Sequence, residues 1–256
     1  MKKRRYTVLI ASLILAVLTI SGCGKENKYV NVGIEESTPG LSLYLTNTAK
    51  GLEKISTYVF FSTDMDETFE KISMDKQGID ISYVPVDEIA RIKKDSNFRV
   101  VFIDCFETSG DIKGVWIARD SWLKDAPNYS RKYIKGMVKS LNYRTDHMNL
   151  SYEEALSSIE GMRDFDFDVQ DDVLQFVAIF DKSNDDVISD YPFISKSASD
   201  MKEMFKDFSL GSGEGYELCK KAYDTYCTSA DAMGFEDMFD LKLMMEEIEE
   251  VLNNEE

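Results

Sequence analysis

Gly78-Ile79-Asp80-Ile81-Ser82-Tyr83-Val84-Pro85 and, one short helical stretch later, Phe98-Arg99-Val100-Val101-Phe102-Ile103 decide the fold. The second run is nearly all apolar. That is the pattern of a strand buried on both faces, as happens when crossover helices cover both sides of a parallel sheet. Upstream, Tyr29 to Ile34 reads as a strand, and the turn signal Ser37-Thr38-Pro39-Gly40 leads into the helical spacing of Leu41, Leu43, Leu45 and Ala49. Ser56 to Phe61 is a further β-branched and aromatic strand, and Ser62-Thr63-Asp64 supplies N-cap chemistry for a helix through Phe69 and Ile72. Val86 to Ile92 supplies the next helical segment. Strands alternating with short helices predict an α/β fold with a mainly parallel sheet and right-handed crossovers.

Downstream the pattern changes. Gly114 to Ala118 is a fifth, short strand. Helical spacing then governs Tyr129 to Asn142, Tyr152 to Ile159, Val173 to Phe180, Met201 to Phe208, Tyr216 to Tyr226 and the stripe Leu241, Met244, Met245, Ile248, Val251. The expected organisation is an α/β lobe over residues 29–150 followed by a helical C-terminal region over 151–256.

Ahead of the lobe lie Lys2, Lys3, Arg4 and Arg5, then an uncharged apolar run from Val8 to Ile20. This is the layout of an export signal, and the run is shorter than the ~18 apolar residues of a spanning helix. Small Ser21 and Gly22 precede Cys23, so Ile20-Ser21-Gly22-Cys23 resembles a bacterial lipobox. Residues 1–22 are read as a lipoprotein signal peptide and 23–28 as a polar tether. Two acyl chains on Cys23, each contributing about 0.8 kcal/mol per buried methylene, would hold the chain on the bilayer from the extracytoplasmic side of the cell membrane.

Loss of residues 1–22 removes four of the 30 basic residues and none of the 47 acidic ones, taking the formal net charge from −17 to −21. Such a surface repels nucleic acid and anionic lipid. The remaining cysteines, Cys105, Cys219 and Cys227, are odd in number and read as free thiols. The single histidine, His147, stands in the polar stretch Arg144-Thr145-Asp146-His147, so neither a His-based metal cluster nor a catalytic triad is expected. The acidic run Asp164-Phe165-Asp166-Phe167-Asp168 lacks the glycine and terminal glutamate of a calcium loop. Gly211-Ser212-Gly213-Glu214-Gly215 lacks a phosphate-binding lysine and reads as a connector. No cofactor and no enzymatic activity are expected.

Asn31-Val32-Gly33-Ile34, the helix after Pro39, the strand ending at Phe61 with Ser62-Thr63, and Gly78 to Pro85 together resemble the first lobe of solute-binding proteins of ABC importers. The resemblance is to the type 2 periplasmic-binding fold, in the branch that includes sulfonate, nitrate/taurine and thiamine-pyrimidine binders. Ala118-Arg119-Asp120-Ser121-Trp122-Leu123-Lys124-Asp125-Ala126-Pro127 is similar to that family's returning strand and helix. Family members insert a second α/β lobe before the returning strand and clamp ligand between the lobes. Here only Asp104 to Gly114 intervene, so the second lobe is missing from that position. The resemblance implies a membrane-tethered solute receptor partnered by an ABC permease. The alternative is a surface lipoprotein that uses a receptor-derived lobe for protein contacts.

Ligands of open α/β sheets collect beyond the carboxyl ends of the strands. By that rule the expected ligand-binding residues are Glu35, Ser37, Thr38, Ser62, Thr63, Asp64, Pro85, Asp104 and Phe106. Glu35, Asp64, Asp66 and Asp104 would make this edge negative, favouring a neutral or cationic small organic solute over an anion. The N-terminal reading gives its own test. Mass spectrometry of the N-terminal peptide from intact cells should find Cys23 as the first residue and diacylated; an unmodified Cys23 thiol, or cleavage elsewhere, refutes the lipobox.

Overall fold

A computed structural model of the chain describes residues 29–35, 39–52, 54–62, 64–73, 78–146 and 193–255. The signal and tether and the helices expected at Tyr152 to Ile159 and Val173 to Phe180 lie outside the described residues, as do His147 and the acidic run at 164–168.

The first half follows its sequence pattern closely. Strand β1 (Val30–Glu35) leads into α1 (Gly40–Lys50), β2 (Thr57–Ser62) into α2 (Met65–Ile72), and β3 (Ile81–Pro85) into a 3-10 turn (Val86–Arg91). β1 pairs in parallel with β2 on one side and β3 on the other. The crossover from β1 to β2 runs one way and that from β2 to β3 runs back past β1. Right-handed crossovers in opposite directions place α1 and α2 on opposite faces of the sheet. β4 (Phe98–Glu107) is the fourth strand to point this way, so four of the six strands share one direction.

β5 (Ile112–Arg119) is longer than its glycine-bounded core predicts, and it returns antiparallel between β3 and β4, giving the order β2-β1-β3-β5-β4-β6. The turn from β4 to β5 is four residues long. Gly110 takes a positive φ of 95° there, and Glu107 N–H donates to Asp111 O at 2.7 Å. A tight hairpin therefore stands where the resembled family carries its second lobe.

Helices α3 (Asp120–Asp125), α4 (Pro127–Lys139) and α5 (Leu141–Asp146) follow. α4 opens on Pro127, whose missing N–H costs nothing in the first turn. It buries Tyr133, Ile134, Met137 and Val138. The backbones of α4 and the end of α1 approach closely: a Cβ on Gly136 would lie 2.6 Å from Gly51 O, and one on Gly51 would lie 1.8 Å from Gly136 O. Only hydrogen at both positions permits the contact.

The C-terminal region is not all helix. Phe193–Ile194 forms β6, antiparallel to the end of β4, a two-residue strand too short to carry an alternating signal. Helices α6 (Ala198–Phe205), α7 (Glu214–Tyr226), α8 (Phe235–Met238) and α9 (Lys242–Glu255) then pack back on the sheet and its helices. α7 lies on the 3-10 turn and β5, and α9 lies along α4 and β4. Met201, Cys219, Met238, Met244, Ile248 and Val251 join one continuous core with Val32, Tyr83 and Trp116. Single bridges tie Lys93 to Ala232 and Val100 to Phe239, and Asp240 N–H donates to Val100 O at 2.9 Å. Gly211 and Gly213 hold positive φ values of 70° and 90° in the connector before α7.

The Gly51–Gly136 seam makes a sharp stability prediction. Gly136→Ala should destabilise the chain by about 2 kcal/mol or more, read from denaturant midpoints, because the new methyl meets backbone that cannot rotate away. An unchanged midpoint would mean that the helices can part without cost.

Candidate functional site

The sheet reverses its winding between β1 and β3, the position at which open α/β sheets characteristically take their ligands, beyond the carboxyl ends of the parallel strands. Glu35 ends β1 and Pro85 ends β3. Gly40, the first residue of α1, sits so close to Tyr83 of β3 that a Cβ would lie 2.7 Å from the Tyr83 side chain. That contact draws the amino end of α1 over the boundary of the two strands. Pro39, at the N-cap, has no side-chain group to bond the first N–H groups, and the first turn of the helix holds no acid. The positive end of its dipole is therefore not neutralised by the helix's own residues.

Ser62 and Asp64 have structural tasks at this edge. Ser62 lies opposite Glu35 in the register; its hydroxyl donates to Ile34 O at 3.4 Å and bonds the Thr68 hydroxyl. The Asp64 carboxylate accepts from Glu67 N–H at 2.9 Å and caps α2. Asp66 pairs with Arg91 at 2.7 Å. Ser37, Thr38 and Thr63 lie outside the described residues.

Asp104 and Phe106 require correction. The apolar run breaks at Asp104, which places both residues after the fourth strand in the sequence, yet β4 continues to Glu107 and buries both completely. The strand continues because the charge is met. Arg144 of α5, itself 1% exposed, bonds the Asp104 carboxylate, Trp116 Nε1 donates to it at 3.0 Å, and Ser195 Oγ donates to the Asp104 carbonyl at 3.0 Å. Register shifts flank this part of β4, and such bulges re-aim side chains. Phe106 pairs with Ile112 and Ile194, and the Lys196 ammonium stands 5.5 Å from its ring centre. Neither residue borders the crevice from solvent.

Around the Asp104–Arg144 pair the interior is polar. Arg144 Nη2 donates to Met137 O at 2.9 Å, and Ser140 Oγ donates to Asn47 Oδ1 at 2.6 Å. Tyr44 Oη and Thr57 Oγ1 are 2.7 Å apart. Asn47 Nδ2, Tyr133 Oη and Arg144 Nε are buried without a partner among the described residues. Burial pushes the Tyr44 hydroxyl up to about 12 and the Tyr83 and Tyr133 hydroxyls well above their usual range. Burial, with the Asp104 carboxylate beside it, also raises the Cys105 thiol; burial alone raises Cys219, and Cys227 is pushed up to about 11. All three are free and protonated at neutral pH, which makes them poor nucleophiles.

A concavity that the sequence does not foretell opens at the opposite end of the strands. It is a cleft of about 810 Å³ between the carboxyl end of α2, the segment 91–98, and the junction of β5 with α3. Phe69, Ile72, Ile92 and Phe98 give it apolar walls. Arg91 lies 4.5 Å from the Phe69 ring centre, and Arg119 lies 5.6 Å from that of Phe98 while its Nη2 donates to Ile79 O at 2.7 Å. Its walls come from three separated segments with no shared motif, so only the fold brings them together.

No protein-family model matches the chain, and no curated protein matches it. Among solved structures, it is similar to the ligand-binding component of an ABC-type import system from Staphylococcus aureus, solved with zinc bound. The TM-score is 0.49 at 10% identity, covering 86% of this chain and 99% of that one. It is also similar to a Candida albicans protein described as having the generic periplasmic binding protein fold, with a TM-score of 0.44 at 7% identity, covering 86% of this chain and 94% of that one.

Proposed function

We propose that the chain is an extracytoplasmic, lipid-tethered solute-binding protein that serves an ABC permease and takes its solute at the β1–β3 crevice. The observation that carries the reading is the reversal of the sheet between β1 and β3, with the amino end of α1 held against β3 by the Gly40–Tyr83 contact. The resemblance of Gly78 to Pro85 and Ala118 to Pro127 to importer receptors supports the same role.

Asp104 is neutralised in the interior, Asp66 is paired with Arg91, and Asp64 is used as a cap. Glu35 ends β1 at this edge and is 5% exposed. A neutral organic solute is therefore the primary expectation, with a cationic one depending on Glu35.

A thermal-shift screen of the purified full chain tests this. A neutral or cationic solute at 100 times its dissociation constant should add about 2.7 kcal/mol of stability. Glu35→Gln should leave a neutral solute's shift intact and reduce a cation's. A broad metabolite panel that moves nothing would sink the receptor reading.

A further inference from the structure

The cleft at the amino ends of the parallel strands inverts the charge balance of the chain. The whole sequence carries 47 acidic and 30 basic residues, yet among the described residues that line the cleft Arg91, Lys93 and Arg119 stand against Asp95 alone. Its volume falls within the range of small-molecule pockets, which are characteristically apolar with a few placed polar groups. Ile72, Ile92 and Phe98 are all at most 6% exposed and form a fixed apolar floor.

The cations are not equivalent. Arg91 lies 4.5 Å from the centre of the Phe69 ring and is paired with Asp66 at 2.7 Å and Glu88 at 3.4 Å. Asp66 is 87% exposed, so that pair is screened and open to competition from another carboxylate. Arg119 lies over Phe98 and is oriented by the Ile79 carbonyl, with Asp80 nearby. Lys93 is exposed and makes no ion pair with a described residue. Guanidinium groups beside phenyl rings suit a ligand with a flat apolar body and a negative charge, and Lys93 adds an exposed ammonium beside them.

We propose that this cleft binds a small organic anion with a flat apolar body, an aromatic carboxylate being the simplest form, at a site separate from the β1–β3 crevice. The body would lie on the floor between the Arg91–Phe69 and Arg119–Phe98 pairs, with its carboxylate toward Lys93. The site lies at the opposite end of the sheet from Glu35 and Pro85, so occupancy of one does not require occupancy of the other.

Fluorine NMR of the full chain with para-trifluoromethylbenzoate, and with para-trifluoromethylbenzylamine as the cationic counterpart, tests the assignment. The benzoate signal should broaden and the benzylamine signal should not. Lys93→Glu should weaken the benzoate by about tenfold, the loss expected for one charge-assisted contact. Ser121→Trp, which fills the cleft from an exposed position, should remove binding while leaving the thermal midpoint near that of the parent chain. Glu35→Gln should change nothing here, which separates this result from the fate of the crevice reading. No benzoate binding at millimolar concentration, equal binding of the amine, or full affinity in both Lys93→Glu and Ser121→Trp would overturn the proposal.

Discussion

The structure is organised around one carboxylate that has no access to water. Asp104 sits inside β4, and stripping an ion of its hydration costs several kcal/mol unless partners replace the water. Arg144 supplies the opposite charge from α5, Trp116 supplies an indole N–H from β5, and Ser195, just past β6, donates to the backbone carbonyl. Three separate chain segments are thereby fixed to the same strand. Without Asp104, Arg144 would be the uncompensated buried charge, so the two residues constrain each other as a pair. The constraint also extends outward: Arg144 reaches Met137 O, and Ser140 of the same turn bonds Asn47 of α1.

Much of this architecture is legible in the sequence, and the reasons differ by element. β1 to β4 are visible because each is an apolar run bounded by turn chemistry, and the parallel direction follows from the helices between them. The burial of Met244, Ile248 and Val251 is equally plain from their helical spacing. The end of β4 is not legible, because a charged residue ends an apolar run in sequence whereas its partner, Arg144, is supplied from a distant helix. β6 escapes notice because two residues carry no period. Among the candidate site residues, Glu35 and Pro85 stand at strand ends as expected, since strand ends follow directly from the pattern. Ser62 and Asp64 reach the same edge, where Ser62 bonds Thr68 of α2 and Asp64 caps that helix.

The two ends of the sheet differ in electrostatic character for reasons of local pairing rather than of total charge. At the carboxyl end, the acids that the sequence places together are divided among a cap, a surface ion pair and the interior. At the amino end, two arginines lie beside phenyl rings and a lysine is left facing solvent. A net charge of −17 sets the long-range field, and the local arrangement decides what each concavity can hold.

The bridging of β4 by its distant partners has a consequence for the order in which the chain is made. β4 is a ten-residue strand, and on the side away from β5 its described partners are β6 at residues 193–194 and the contacts of residues 239 and 240 with Val100. All of these emerge from the ribosome well after the strand itself, on the order of ten seconds later at ordinary synthesis rates. During that interval the nascent chain carries a long, apolar, half-paired strand, the feature most prone to pairing with another molecule. The tail of the chain thus acts as a late closure for its middle, and a messenger cut short before residue 193 would yield a product with its most adhesive edge open.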